Sequence, residues 1–186
     1  MSSLGVRLAE FSNPEFDPGR GFLVRALWLG VPLAVFETGL PWPSIVKRGL
    51  LRLFGGRIGR GVVIKPRVTI KSPWRLTVGD HSWLGEWVWL DSLAAITLGA
   101  NVCLSQGAMV ETGNHDWSDP RFGLRLGPVT IEDGAWVAVR GLVLPGARLA
   151  GHSVLTAGSV LAGDSEPWGI YTGVPAVRVK ERRLRG

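Results

Sequence analysis

Apolar positions recur every six residues along most of the chain. Ile58, Ile64, Ile70, Val78, Leu84, Leu90, Leu98, Leu104, Val110, Ile131, Val137, Val143, Leu149, Leu155 and Leu161 each open a hexad. From Leu98 onward the fifth place holds a small or β-branched residue: Val102, Ala108, Ala135, Gly141, Ala147, Ser153, Ser159 and Ser165. The second place often holds glycine or a small residue, as in Gly99, Ser105, Ala138 and Ala150. Helices repeat every 3.6 residues and strands every 2. A sustained period of six is neither, and it predicts an all-β solenoid of hexapeptide repeats, a parallel β-helix. Three hexads make one coil of 18 residues. Coils opening at 58, 78 and 98 are 20 apart, which places two extra residues at a corner near Pro73-Trp74 and again near Ala94-Ala95. The openers 98 and 131 are 33 apart, one coil plus 15 residues, so a single large loop runs from Gly113 to about Pro128 (113–128). A long loop leaving a regular scaffold usually carries function.

The hexads divide the chain into an N-terminal arm with helices (1–57), a β-helix domain (58–176) and a basic C-terminal tail (177–186). Residues 1–20 lack any period and read as an extended arm broken by Pro14 and Pro18. Residues 21–40 are the most apolar stretch, but the longest uncharged run, Ala26 to Phe36, has 11 residues and contains Pro32. A spanning helix needs about 20 apolar residues, so a transmembrane segment is rejected. Two readings remain for residues 20–54: a kinked helix packed on the domain, or a helix in the membrane interface flanked by Arg20, Arg25, Lys47, Arg48 and Arg52. Residues 43–54 form a second short helix stopped by Gly55-Gly56. The opening residues show no signal-peptide pattern, which makes a cytoplasmic, optionally membrane-peripheral, protein the expectation.

The sixth places, Trp83, Trp89, Cys103, Met109, Trp136, Leu142 and Val154, would coat one face of the prism with large apolar groups if they point outward. Such a face calls for a partner, simplest as copies of the same chain in a closed cyclic oligomer. The net charge of +6 suits phosphate-bearing ligands, nucleic acid or an anionic membrane without choosing among them. The basic residues lie apart, in the N-terminal helices and the tail, with no recognition motif, so nucleic acid is not expected. Of the three histidines, His81 and His152 fall three coil steps apart. At about 4.8 Å per step they are about 14 Å apart along the axis, too far to share a zinc ion. No metal is expected.

The hexads, the loop sequence Gly113-Asn114-His115-Asp116, the run 134–164 and the closing Tyr-Thr-Gly-Val-Pro-Ala (171–176) resemble the hexapeptide-repeat acyltransferases. The block 50–80 together with Val110-Glu111-Thr112-Gly113-Asn114-His115-Asp116 is similar to the colanic acid biosynthesis acetyltransferases. The resemblance covers about residues 20–186. It implies a left-handed β-helix, a homotrimer, acetyl-CoA in the groove between subunits, and O-acetylation of a sugar hydroxyl without an acyl-enzyme. It puts the catalytic histidine at His115 and the coenzyme-side tryptophan at Trp136. The backbone facing the thioester falls on Ala138 and Val139, and the close-packed residues along the pantetheine arm fall on Ala157 and Gly158. The Thr-Lys that often precedes the Asp matching Asp164 is replaced by Ala162-Gly163. Arg178, Lys180 and Arg182 of the tail then stand as the phosphate contacts. An Asn that related enzymes place near the acceptor hydroxyl falls on Trp89, which, with Asp91 and the loop aromatic Trp117, makes up the acceptor candidates.

The chemistry suits the residues. An alcohol attacks a thioester poorly until a base takes its proton, and His is the side chain matched to neutral pH. His115 is flanked by Asn114 and Asp116. Asp116, Glu111, Asp91 or a main-chain carbonyl can accept its second N–H. A coil N–H such as that of Val139 can meet the charge that grows on the thioester oxygen. Trp117 and Phe122 either stack on a sugar or anchor the loop. A non-catalytic β-helix scaffold is the alternative reading.

Overall fold

The computed structural model describes residues 5–185. Short strands stack into three parallel ladders around a filled core. The first ladder runs Arg57–Ile58, Leu76–Val78, Ile96–Leu98, Val129–Ile131 and Arg148–Leu149. The second runs Val63–Ile64, Trp83–Leu84, Cys103–Leu104, Trp136–Val137, Val154–Leu155 and Gly169–Gly173. The third runs Thr69–Ile70, Trp89–Asp91, Met109–Glu111, Leu142–Val143 and Val160–Leu161. Register follows the hexads, with Leu84 beside Leu104 and Leu90 beside Val110. The architecture is a left-handed parallel β-helix.

Every hexad opener is buried. Serine in the fifth place is buried too, and its hydroxyl is satisfied by the corner backbone. Ser82 Oγ donates to the Gly99 carbonyl (2.8 Å) and accepts from the Val102 N–H (3.0 Å). Ser153 Oγ donates to the Glu166 carbonyl (2.7 Å). A buried hydroxyl left unpaired would cost more than it gives. The extra corner residues form the turn Pro73–Arg75 and the bend at Leu93-Ala94. His81 and His152 are corner residues in the left-handed region, with φ of 60° and 59°.

The sixth places do not share one face. Trp83, Cys103, Trp136 and Val154 lie on the second ladder, while Trp89, Met109 and Leu142 lie on the third. The reason is the repeat itself: one hexad turns the chain by one face, so positions 83 and 89 fall on successive faces. Trp83, Trp89 and Trp136 are exposed, whereas Val154, the smaller side chain between Trp136 and Ile170, is buried.

The N-terminal helices close the open edge of the first coil. First-coil N–H groups donate to second-coil carbonyls, as Val63 does to Ser82 (2.9 Å), which leaves first-coil carbonyls without a strand partner. Helix α1 (Phe22–Val31) sends the Trp28 indole N–H to the Ile70 carbonyl (3.0 Å). A single π-helical turn, Pro32–Phe36, follows it. Helix α2 (Ser44–Leu53) sends Lys47 Nζ to the Lys65 carbonyl (2.8 Å), Arg48 to the Val62 carbonyl (2.9 Å) and Arg52 to the Ile58 carbonyl (2.6 Å). An uncovered strand edge invites association with another chain, and these three cations cover it. One of the two readings of residues 20–54 sets Lys47, Arg48 and Arg52 as the basic flank of an interfacial helix; their side chains reach backbone oxygens of the first coil. Among the described residues no helix is long and apolar enough to cross a membrane.

At the other end the chain stays ordered past the last hexad. Ala176–Glu181 forms a strand antiparallel to Gly169–Gly173, and Arg182 donates to the Gly134 and His152 carbonyls, both at 2.9 Å. Part of the basic stretch at 177–186 is therefore sheet rather than free tail.

Candidate functional site

The large insertion folds as a β-hairpin. Gly113–His115 pairs antiparallel with Leu124–Leu126, and His115 faces Leu124. The turn is held by Asp116 N–H to the Gly123 carbonyl (2.7 Å) and by Phe122 N–H to the Asp119 carbonyl (2.8 Å). Phe122 sits in the left-handed region, with φ of 55°, and this turns its carbonyl back onto His115. His115 Nδ1 lies 2.8 Å from that oxygen. A carbonyl only accepts, so Nδ1 carries a proton, and in the neutral ring the lone pair then sits on Nε2. The imidazole also stacks on the Phe122 ring at 4.3 Å between centroids and meets Phe11 at 5.6 Å. Of the four candidates for orienting His115, the main-chain carbonyl holds the position.

Asn114 and Asp116 serve the hairpin. Asn114 Oδ1 accepts from the His115 N–H (2.8 Å). The Asp116 carboxylate accepts from the Ser118 N–H (2.9 Å), the Ser118 hydroxyl (2.5 Å) and the Arg125 guanidinium. The two Ser118 bonds, with Arg125 after them, pull its pKa down to about 2. This folded value lies below the ordinary carboxylate value of 3.8, so the contribution of Asp116 to the hairpin is full above the unfolded pKa and fades as pH falls toward about 2. Asp116→Asn is therefore expected to loosen the loop at every pH above about 4. Hydrogen exchange at Ser118 and Gly123 should read this as faster exchange in the variant, while wild type holds its protection through mild acid.

Asp91 and Glu111 lie side by side on neighbouring strands of the third ladder at the hairpin root. A Cβ on Gly113 would lie 3.7 Å from Asp91 Oδ2, and the Lys71 ammonium lies 3.0 Å from Asp91 Oδ1. Burial pushes the Glu111 pKa up, and repulsion from Asp91 adds to it against the pull of Lys71. Trp89 is exposed on the same strand as Asp91. Trp117 is 84% exposed at the hairpin tip and among the described residues makes no side-chain hydrogen bond or ring stack, whereas Phe122 packs on His115.

The coenzyme candidates form a separate strip. The Trp136 indole N–H donates to Ser105 Oγ (2.8 Å). Val139 is exposed, its carbonyl accepts from Gly158 N–H (2.9 Å), and among the described residues no carbonyl accepts its own N–H. Ala138 is buried, and Ala157 and Gly158 are exposed. A Cβ on Gly158 would meet nothing within 4 Å, so open space lies beside this backbone. Arg178 pairs with Glu166 (3.7 Å), Lys180 is exposed on the last strand, and Arg182 is committed to the coil carbonyls. Among the described residues no hydrogen bond joins the strip to the hairpin within one chain.

The N-terminal arm packs against the hairpin, and no periodicity in the sequence announces it. Arg7 N–H donates to the Pro120 carbonyl (2.7 Å), and Leu124 N–H donates to Asn13 Oδ1 (3.0 Å). The arm and hairpin enclose a cavity of about 570 Å³ lined by Asn13, Glu15, Phe16, Asp119, Arg121 and Leu126. A second cavity of about 390 Å³ is lined by Asn114, Arg125, Leu126, Pro145, Gly146 and Ala162. Both linings mix apolar groups with a few polar side chains, Asn13, Glu15, Asp119 and Arg121 in the first and Asn114 and Arg125 in the second. Among the described residues no three His, Cys, Asp or Glu side chains gather as a metal site.

The solenoid of hexapeptide coils is the fold of the hexapeptide-repeat acetyltransferases. The chain is 35% identical over 178 residues to the protein named as colanic acid biosynthesis acetyltransferase WcaF of Escherichia coli K12, covering 94% of this chain and 96% of that one. It superposes on a hexapeptide-repeat acetyltransferase from Vibrio cholerae solved with acetyl-CoA, with a TM-score of 0.78, 22% identity, and coverage of 87% and 88%. It superposes likewise on a galactoside acetyltransferase solved with coenzyme A, with a TM-score of 0.78, 19% identity, and coverage of 90% and 85%. No family profile matches the sequence. The chain belongs to the colanic acid biosynthesis acetyltransferase family.

Proposed function

We propose that this acetyltransferase moves the acetyl group of acetyl-CoA onto a hydroxyl of a sugar or polysaccharide precursor, with His115 as general base. The observation that carries the reading is the His115 Nδ1 contact with the Phe122 carbonyl at 2.8 Å, which leaves Nε2 free to accept a proton. The acceptor O–H gives its proton to Nε2 as its oxygen attacks the thioester carbonyl carbon. The tetrahedral oxyanion is met by the Val139 N–H. Collapse breaks the C–S bond, and the imidazolium returns its proton to the departing thiolate. Direct attack needs no acyl-enzyme. Asn114 fixes the His115 backbone, Asp116 holds the loop, and Trp89, Asp91 and Trp117 face the acceptor. Trp136, Ala138, Ala157 and Gly158 line the pantetheine arm, with Arg178 and Lys180 toward the phosphates.

Copies of the chain assemble as a homotrimer. Two successive faces carry exposed tryptophans, Trp83 and Trp136 on one and Trp89 on the next. A ring needs two different patches that meet head to tail, whereas a two-fold dimer needs one. Such a ring brings the hairpin of one copy to the coenzyme strip of its neighbour. Trp83→Glu is expected to weaken assembly at least about tenfold, because a buried unpaired carboxylate opposes the contact. Light scattering across a dilution series reads this as a shift from trimer mass to monomer mass.

The function is tested by coenzyme A release from acetyl-CoA over a panel of sugars and glycosides. Release that depends on the acceptor, with acetylated product by mass spectrometry, is expected. Binding of acetyl-CoA without turnover on any hydroxyl compound, but with turnover on an amine, would overturn the O-transfer reading.

A further inference from the structure

A surface helix normally turns an apolar stripe inward and polar residues outward. α1 breaks this rule. Arg25 is its one charged residue and Trp28 its one buried residue. Phe22, Leu23, Leu27 and Leu29 stand in the open, with Leu23 at 74% and Leu27 at 67% exposure. α2 is inverted. Lys47, Arg48 and Arg52 turn inward to the first-coil carbonyls, while Ile45 and Leu53 are exposed. Exposed Trp42 stands between the two helices, and its indole N–H donates to the Ala34 carbonyl (3.1 Å). Both helices cap the same coil edge, so these apolar groups belong to one end of the prism. Contiguous apolar surface of this kind calls for a cover.

Charge selects the cover. Residues 20–54 carry five cations against one carboxylate, Glu37; Lys47 is buried and Arg48 and Arg52 are engaged with first-coil carbonyls, so exposed Arg20 and Arg25 are the cations that meet the outside. An end-to-end contact with a second copy would set this positive end against itself. An anionic bilayer offers opposite charge, an apolar interior for the leucines and a headgroup layer that suits Trp42. α1 has ten residues, half of the about 20 needed to span, so it lies in the plane of the interface. We propose that this end cap is a docking surface for an anionic lipid bilayer. The trimer of the preceding section adds avidity, since a ring with parallel solenoids puts three caps on one end. Docking itself does not depend on that assembly or on acetyl transfer.

The test is co-sedimentation of the full chain with vesicles of phosphatidylcholine plus phosphatidylglycerol, and with vesicles of phosphatidylcholine alone. Wild type should partition onto the anionic vesicles and more weakly onto the neutral ones. Leu23→Glu/Leu27→Glu should lower that partition at least about tenfold, since each leucine loses its burial in the acyl layer. Arg25→Glu should lower binding to the anionic vesicles only. All three chains should keep their light-scattering mass and their acetyl-CoA binding, because these side chains are exposed and lie outside the coenzyme strip. Leu53→Glu repeats the apolar arm on α2 if the double variant does not fold. Wild type that stays in the supernatant, or leucine variants that bind as wild type does, would overturn the proposal. So would leucine variants that change the assembly mass, which would assign the surface to a second copy. Loss of acetyl transfer with vesicle binding intact would sink the enzymatic reading alone.

Discussion

His115→Ala is expected to lower kcat by a factor between about 10² and 10⁴, with little change in the KM for acetyl-CoA. The split follows from geometry. The Nδ1–H bond to the Phe122 carbonyl and the Phe122 stacking fix the ring, so its free nitrogen presents one lone pair in one direction. The proposed coenzyme strip at Trp136, Val139 and Gly158 lies on the coils and, among the described residues, makes no hydrogen bond to the hairpin within the chain. Loss of the imidazole therefore removes proton transfer and leaves donor binding in place. His115→Gln separates the two nitrogens. Its amide can still donate to the Phe122 carbonyl but is too weak a base to take the acceptor proton, so it should be as slow as alanine while its melting temperature stays nearer wild type. Equal turnover in wild type and both variants would remove His115 from the base role.

The period of six made the coils, their register, the two corner insertions and the single loop legible before any coordinates. Each of these depends on local spacing. The hairpin inside the loop was not legible, because Gly113–His115 and Leu124–Leu126 pair through backbone groups that leave no hydrophobic period. The orienting group of His115 is a carbonyl, and a carbonyl has no residue type to read. The arm failed for a related reason: Phe11 and Asn13 reach His115 and Leu124 across more than a hundred residues, and nothing local marks them. The outward rows were assigned to one face where the structure spreads them over two. The error came from treating position within the hexad as if it fixed the face, when it fixes only inside from outside. The cations of α2 show the same limit. Sequence counts their charge, but only the coil edge decides that they turn inward.

The second-place glycines were visible as a pattern without a cause, and the coil stack supplies one. A Cβ on Gly79 would lie 2.5 Å from the Gly99 carbonyl carbon and 2.5 Å from the Ala100 nitrogen. Both obstacles are backbone of the next coil, so no side chain can swing away, and relief requires the coils to part and the Gly79 N–H to Leu98 carbonyl bond (2.8 Å) to stretch. Gly79→Ala is expected to destabilise the fold by about 3 kcal/mol, the upper end of overpacking. Gly49→Ala is the control with the opposite sign. Gly49 lies inside α2 and a Cβ there meets nothing within 4 Å, so alanine should stabilise by about 0.5–1 kcal/mol through its helix preference. Denaturant unfolding of the two variants beside wild type measures both. A tolerated Gly79→Ala would mean that the corner yields more than its backbone spacing allows. The same inter-coil spacing would then be too soft to hold Val139 and Gly158 in line for a thioester.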